Sequence, residues 1–241
     1  MIRDILAPNP GPFTLTGTRT YLLGDSVVID PGPAIDSHVA AIQDAMPRLR
    51  TILITHRHGD HAPAAGPLKQ MTGARIAAPA GVDEKIDLVL RGGETVEELE
   101  VIATPGHTRE HVCFLSRDRD LFTGDTILGD GTTAIFPPDG DMRQYIESLR
   151  ALRERNPRRI FPGHGRTRDD AVQLIDDYIA HRLQREQEIL EAIAAGARTL
   201  PEIRRRIYAI LDPRLEGAAE AQIQAHLIKL EEEGRGLSSR A

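Results

Sequence analysis

The 241-residue chain is 40% apolar and 27% charged, the make-up of an ordinary globular protein. It is long enough for one large domain, or for a domain of about 160 residues with a smaller appendage. A formal charge of −6 gives no basis for a non-specific nucleic-acid or membrane surface, although it leaves room for a local basic groove. Cys113 is the single cysteine and permits no intrachain disulfide. The amino terminus, broken at Pro8, Pro10 and Pro12, has no signal-peptide core, and no stretch approaches bilayer-spanning length. The expectation is a cytoplasmic, unexported protein.

Residues 7–13, rich in proline and glycine, open as a loop. Residues 18–23 and 26–29 read as two β-runs joined by Gly24-Asp25, a hairpin by pattern, ended by Asp30-Pro31-Gly32. Ile35, Val39, Ile42 and Met46 fall at helical spacing and predict a helix over 35–46. An apolar run, Ile52-Leu53-Ile54, then delivers Thr55 and a polar loop holding His56, His58, Asp60 and His61. A helix over 62–71 ended by Thr72-Gly73, a strand over 74–78 and a weaker helix or turn over 83–90 follow. Strands are predicted at 97–103, 112–116, 121–123 and 159–161. An amphipathic helix is predicted at 142–153, with Met142, Tyr145, Ile146, Leu149 and Leu152 on one side.

Residues 168–241 differ in kind. A long helix is predicted over about 169–195 from its apolar side, which includes Ile175, Ile179, Leu183 and Ile193. Thr199 with Glu202 three residues on is a cap-like start, and predicts a helix to about residue 211. Asp212-Pro213 breaks it, and another helix follows over 218–232. Three helices before Gly234-Arg235-Gly236 look like a small winged-helix-like module whose wing must be short. The expected domains are 1–167 and 168–241, with no internal repeat.

Three imidazoles and a carboxylate within six positions, in a chain with only 9 histidines, point to a divalent cation. On extended backbone alternate side chains share a face, so His56 and His58 can pinch one ion. Asp60 and His61, past Gly59, can aim at a second. Three further β-runs end in small-residue turns that present a ligand: Thr104-Pro105-Gly106-His107, Gly124-Asp125-Thr126 and Pro162-Gly163-His164. Each turn alone is weak evidence. All in this order are strong, and they place the ligands on one rim of a layered α/β scaffold.

Read as H-x-H-x-D-H after a strand and joined to these turns, the pattern resembles the metallo-β-lactamase-fold hydrolases. The stretches NPGPFTLTGTRTYLLG, GDTILGDGTT, PPDGDM and YIAHRLQRE resemble the lactamase-β-2-like subgroup. The resemblance implies an α/β fold: an αββα metallo-β-lactamase sandwich followed by a small helical winged-helix-like domain. It implies that His56, His58 and His107 hold one zinc ion, that Asp60, His61 and His164 hold a second, and that Asp125 bridges them. The same donors also accept manganese or iron(II). It implies a metal-bridging hydroxide as nucleophile, with Asp60 as the catalytic residue that orients it and shuttles its proton. Thr55 and Asp30 are expected behind the ligands, because a ligating imidazole needs an acceptor on its other nitrogen. Arg19 departs from the subgroup pattern, in which GTRTY carries Asn at this point.

Two ester chemistries follow from the resemblance. Phosphodiester cleavage in single-stranded RNA ranks first, supported by the subgroup and by Arg204-Arg205-Arg206. Hydrolysis of a small-molecule thioester or other acyl ester, as in glyoxalase-II-like enzymes, ranks second. Residues 168–241 hold 11 Lys plus Arg against 14 Asp plus Glu, a balance of −3 that adds nothing to the RNA reading. A winged-helix regulator with a degenerate hydrolase domain ranks last, since the ligand set is complete. A homo-oligomer is left open. Among the other histidines, His111 is read as a surface or structural residue, and His38, His181 and His226 as bystanders on helices. Cys113, inside an apolar strand, reads as a buried structural thiol, and the basic triplet as a solvated helix face.

Overall fold

The computed structural model of the chain describes residues 1–83 and 85–235. Contacts divide the chain into two compact units. The first comprises 1–104, 110–132 and 156–171; the second comprises 105–109, 133–155 and the chain from Val172 on.

The first unit is built on two sheets. One has the order β1 (Ile2–Leu6), β2 (Arg19–Leu23), β3 (Val27–Ile29), β4 (Thr51–Leu53), β5 (Arg75–Pro79) and β6 (Leu88–Leu90). Its first three strands pair antiparallel, and the pairs from β3 to β6 are parallel. The other sheet contains β7 (Thr95–Val96), β8 (Leu99–Ala103), β9 (Val112–Leu115), β10 (Asp120–Gly124) and β11 (Arg159–Pro162), in the order β11-β10-β9-β8-β7. Only β10 and β11 run parallel there.

Alternation along the strands decides which face goes where. Tyr21, Val27, Ile29, Leu53 and Ala77 pack with Val101, Val112, Phe114, Phe122 and Phe161 in a core shared by both sheets. Tyr21 meets Phe122 edge-on at 5.3 Å between centroids, and Phe122 stacks on Phe161 at 5.0 Å. Burying each such side chain contributes about 1.5–3 kcal/mol. The intervening residues Leu22, Val28, Ile52 and Ile76 turn the other way, into a second core. That core holds Val39 and Ile42 of α1 (Asp36–Ala45) and Leu68 of α2 (Ala65–Thr72).

The second unit contains α3 (Met142–Glu154), α4 (Ala171–Ala194, from its second residue), α5 (Leu200–Ile207) and α6 (Glu216–Glu232). Asp141 caps α3 by accepting the Gln144 amide at 2.9 Å, and the predicted apolar side of this helix is buried. Thr199 and Glu202 form the expected capping box at the start of α5. Ile189, Ala192, Ile203, Ile223 and Leu230 make the core joining α4, α5 and α6.

Several predicted elements are corrected. Ile2–Leu6 forms a strand that the sequence pattern leaves unmarked. In 83–90, where a helix or turn was expected, Leu88–Leu90 extends the first sheet as β6; Glu84 lies outside the described residues. The strand predicted over 97–103 starts two residues late, because Glu97 and Glu98 take φ of 51° and 64° and make the turn between β7 and β8. The helix α5 stops at Ile207 rather than near 211, since Ile210 is 98% exposed and continuation would bury nothing there. Among the described residues no strand follows Pro162, and Gly236, with any wing beyond it, lies outside them.

Candidate metal centre

The parallel pairing of β3 with β4 sets two chain ends side by side, Asp30 after one and Ile54-Thr55 after the other. Asp30 is buried in a left-handed conformation (φ 48°) that a non-glycine residue rarely adopts. Three hydrogen bonds hold it. Its Oδ1 accepts the Thr55 amide at 2.8 Å; its Oδ2 accepts the Thr55 hydroxyl at 2.8 Å and His61 Nδ1 at 2.9 Å. The Thr55 hydroxyl, already donating to Asp30, must accept from His56 Nδ1 at 3.0 Å. The support expected from Asp30 and Thr55 is therefore present.

In the other sheet, parallel β10 and β11 end together at Gly124-Asp125 and Pro162-Gly163-His164. Glycine is required at 163: a Cβ there would lie 2.5 Å from His61 Cε1 and 2.9 Å from Asp125 Oδ1. The His164 ring is held from behind, with Nδ1 3.3 Å from the Gly17 carbonyl oxygen. Arg19, the departure from the subgroup pattern, clasps this turn. Its Nε donates to the Gly165 carbonyl at 2.5 Å, its amide donates to the Gly163 carbonyl at 2.8 Å, and its guanidinium pairs with Asp4.

Six of the seven predicted ligands belong to this unit, and they converge. One donor atom from each of Asp60, His61, Asp125 and His164 lies within 4.8 Å of the others, and the same holds for His56, His58 and Asp125. His164 Nε2 is 3.1 Å from Asp60 Oδ2 and 3.3 Å from Asp125 Oδ1; His61 Nε2 is 3.4 Å from Asp125 Oδ1. His107, the seventh, belongs to the second unit, where its Nδ1 bonds the Ala134 carbonyl at 2.8 Å.

The donor chemistry fits a cation. With Nδ1 of His56, His61 and His164 committed to oxygen acceptors, the lone pairs sit on Nε2 and aim into the cluster. His61 Nε2 and His164 Nε2 face each other at 3.3 Å, and His56 Nε2 faces His58 Nδ1 at 3.0 Å. Such pairs of nitrogens are stable only with a proton or a cation between them. The electrostatics agree. Burial alone would raise the Asp60 carboxyl, but His61 and His164 outweigh it and hold it at about 2. Burial likewise pushes Asp125 up, and His61 and His164 still hold it well below the carboxylate range. For His61 and His164 burial favours the neutral ring, yet Asp125 and Asp60 raise both, His164 to about 9. Two ionised carboxylates thus create a demand for positive charge at this place.

Of the two readings of His111, surface or structural, burial supports the structural one. His111 is 1% exposed and stacks on His56, with centroids 4.8 Å apart. Antiparallel pairing of Ala103 with Val112 sets it opposite Thr104, whose amide donates to its carbonyl at 2.8 Å. Its place just before β9 is the signal that could have found it. Cys113 is buried as expected, and burial pushes its thiol up to about 12. Arg204 of the basic triplet pairs with Glu216 and Glu220, both at 2.9 Å, rather than facing solvent unopposed.

Sequence comparison agrees with this geometry. The family model described as the metallo-beta-lactamase superfamily matches residues 14–87 and 71–164, and that of the beta-lactamase associated winged helix domain matches 199–237. A Beta-lactamase-like protein 2 homolog of Caenorhabditis elegans is 34% identical over 97% of this chain and 85% of its own length. An atrochrysone carboxyl ACP thioesterase of Aspergillus fumigatus is 32% identical over 78% of this chain and 64% of its own length. A metallo-beta-lactamase family protein of Thermus thermophilus shares the fold, with a TM-score of 0.80 at 22% identity over 97% of this chain and 94% of that one. No helix among the described residues is long and apolar enough to cross a membrane. With its paired sheets, its cluster of histidines and aspartates and its carboxy-terminal helices, the chain belongs to the metallo-β-lactamase superfamily as a metal-dependent hydrolase carrying an associated winged helix domain.

Proposed function

We propose that the chain is a dinuclear zinc hydrolase acting on thioesters. The observation that carries the metal reading is the convergence of ionised carboxylates with the Nε2 atoms of His56, His61 and His164, three rings anchored through Nδ1. In the proposal His56, His58 and His107 hold one ion, Asp60, His61 and His164 hold the other, and Asp125 serves both. His107 suits its part because its Nδ1 is anchored at Ala134, which commits Nε2 to coordination. Zinc is favoured by the mixed imidazole and carboxylate donors, and iron(II) or manganese(II) are the alternatives. Two such ions would polarise the acyl oxygen and make water a nucleophile at neutral pH. Asp60, with 26% of its side chain open to solvent and its Oδ2 3.1 Å from His164 Nε2, is placed to orient that water and take its proton. The proton then passes to the leaving thiolate, giving a carboxylic acid and a thiol.

The sequence alone ranks RNA cleavage ahead of acyl hydrolysis; two observations support the reverse order. A relative at 32% identity is named a thioesterase, and the basic triplet is partly neutralised by Glu216 and Glu220. We further propose 1–167 as the catalytic sequence domain and 168–241 as the winged-helix-like one, in a cytoplasmic protein. The test is elemental analysis of purified wild type and Asp60→Ala, beside hydrolysis assays on a panel of small thioesters and on single-stranded RNA. The expected result is about two zinc ions per wild-type chain and thioester turnover that the variant loses. Cleavage of RNA alone would restore the nuclease reading. A folded wild-type protein that takes up no metal would overturn the hydrolase mechanism.

A further inference from the structure

A residue outside the donor set controls its geometry, an inference that rests on reading the cluster as a metal centre. The Asp125 amide donates to His111 Nε2 at 3.3 Å. A backbone amide can only donate, so this nitrogen carries a lone pair and the ring proton is on Nδ1. Nδ1 is 2.9 Å from Thr104 Oγ1 and 3.2 Å from Thr126 Oγ1. Thr104 Oγ1 lies 3.3 Å from Cys113 Sγ, and the thiol donates to the Thr123 carbonyl at 3.7 Å. Since a carbonyl can only accept, the chain has one consistent polarity: Asp125 amide to His111, His111 to Thr104, Thr104 to Cys113, Cys113 to Thr123. All five residues lie in the first unit, and His111, Thr104, Cys113 and Thr123 are buried. Gly124 completes the packing, because a Cβ there would lie 2.8 Å from His111 Nε2.

We propose that His111 is a positioning residue for the metal centre: held as its Nδ1–H tautomer by Thr104, it fixes the backbone of Asp125 and the plane of His56. One ring thereby ties a carboxylate proposed to serve both ions to an imidazole proposed to hold one of them. Thr104 and Cys113 act one and two bonds further back, which gives the buried thiol a role without exposing it to substrate.

The test is titration of the metal-stripped full chain with Zn2+ and with Co2+, reading affinity, the visible spectrum of the cobalt form and the melting temperature of the metal-free protein. His111→Leu removes the acceptor for the Asp125 amide, and is expected to weaken metal binding about 10- to 100-fold and to shift the cobalt spectrum. His111→Gln keeps an acceptor at that end and is expected to restore affinity toward wild type. Thr104→Val, which keeps the shape and removes the hydroxyl, is expected to move affinity in the same direction as His111→Leu, and it decides the matter if the leucine variant does not fold. A folded leucine or valine variant that loses melting temperature alone, with wild-type affinity and spectrum, overturns the inference. Wild-type protein that binds neither ion overturns the metal reading and the inference together, so the two failures are distinguishable.

Discussion

Asp30 illustrates how the centre depends on residues that never face a substrate. Both of its oxygens are spent on Thr55 and His61, so Asp30→Ala leaves a buried amide and a buried imidazole N–H without acceptors. Each such loss costs about 1–3 kcal/mol, and urea denaturation of the metal-free variant should show a drop of about 2–6 kcal/mol. At Gly163 the constraint is room rather than bonding. Gly163→Ala would push a methyl against His61 and Asp125, and elemental analysis should find reduced metal occupancy in a chain that still folds. The seven residues proposed as ligands stand out in the sequence because few residue types coordinate metals and each lies in a short turn after an apolar run. His111 and Arg19 were not. Their roles come from neighbours distant in sequence, Asp125 for one and Gly165 for the other, and no local pattern expresses such partners.

Elements were legible where the local code is strong. The capping box at Thr199 is such a case, and Thr199→Ala should destabilise the protein by about 1 kcal/mol in thermal or chemical denaturation. The helix α3 was legible for the same reason, its apolar stripe being written in the sequence and buried as written. Illegible elements owe their existence to pairing. The strand β1 buries little of its own surface and is defined by its register on β2, from Ile2 opposite Leu23 to Leu6 opposite Arg19. Short β6 is likewise held by β5. The early end of α5 has the complementary cause: helical pattern continues beyond Ile207, but a helix persists only where a face is covered.

At the scale of the molecule, stability should depend on pH through His226. This ring is fully buried in α6, and neither nitrogen has a hydrogen-bond partner among the described residues. Burial, then the charges of Arg182 and Lys229, depresses it from the ordinary 6.5 to about 3. Its folded value lies below its unfolded one, so the stability tied to its neutral form is intact above pH 6.5. That stability drains as pH falls toward 3, at up to about 1.4 kcal/mol per pH unit. Chemical denaturation at pH 7.5 and pH 5 should give a smaller difference for His226→Leu than for wild type; equal differences would remove His226 from the account. The passage of the chain between units at 104–105, 109–110, 132–133, 155–156 and 171–172 belongs to this scale too, and only tertiary contacts define it. The parallel pairs β3–β4 and β10–β11 carry a last consequence. Because paired strands point the same way, four chain exits open together, and Asp30, His56 to His61, Asp125 and His164 all lie in the first turns beyond them. Insertions or exchanges further along those segments, past the first turns, can then redraw what the enzyme accepts without disturbing how it cuts. Such a scaffold separates the inheritance of a reaction from the inheritance of a diet.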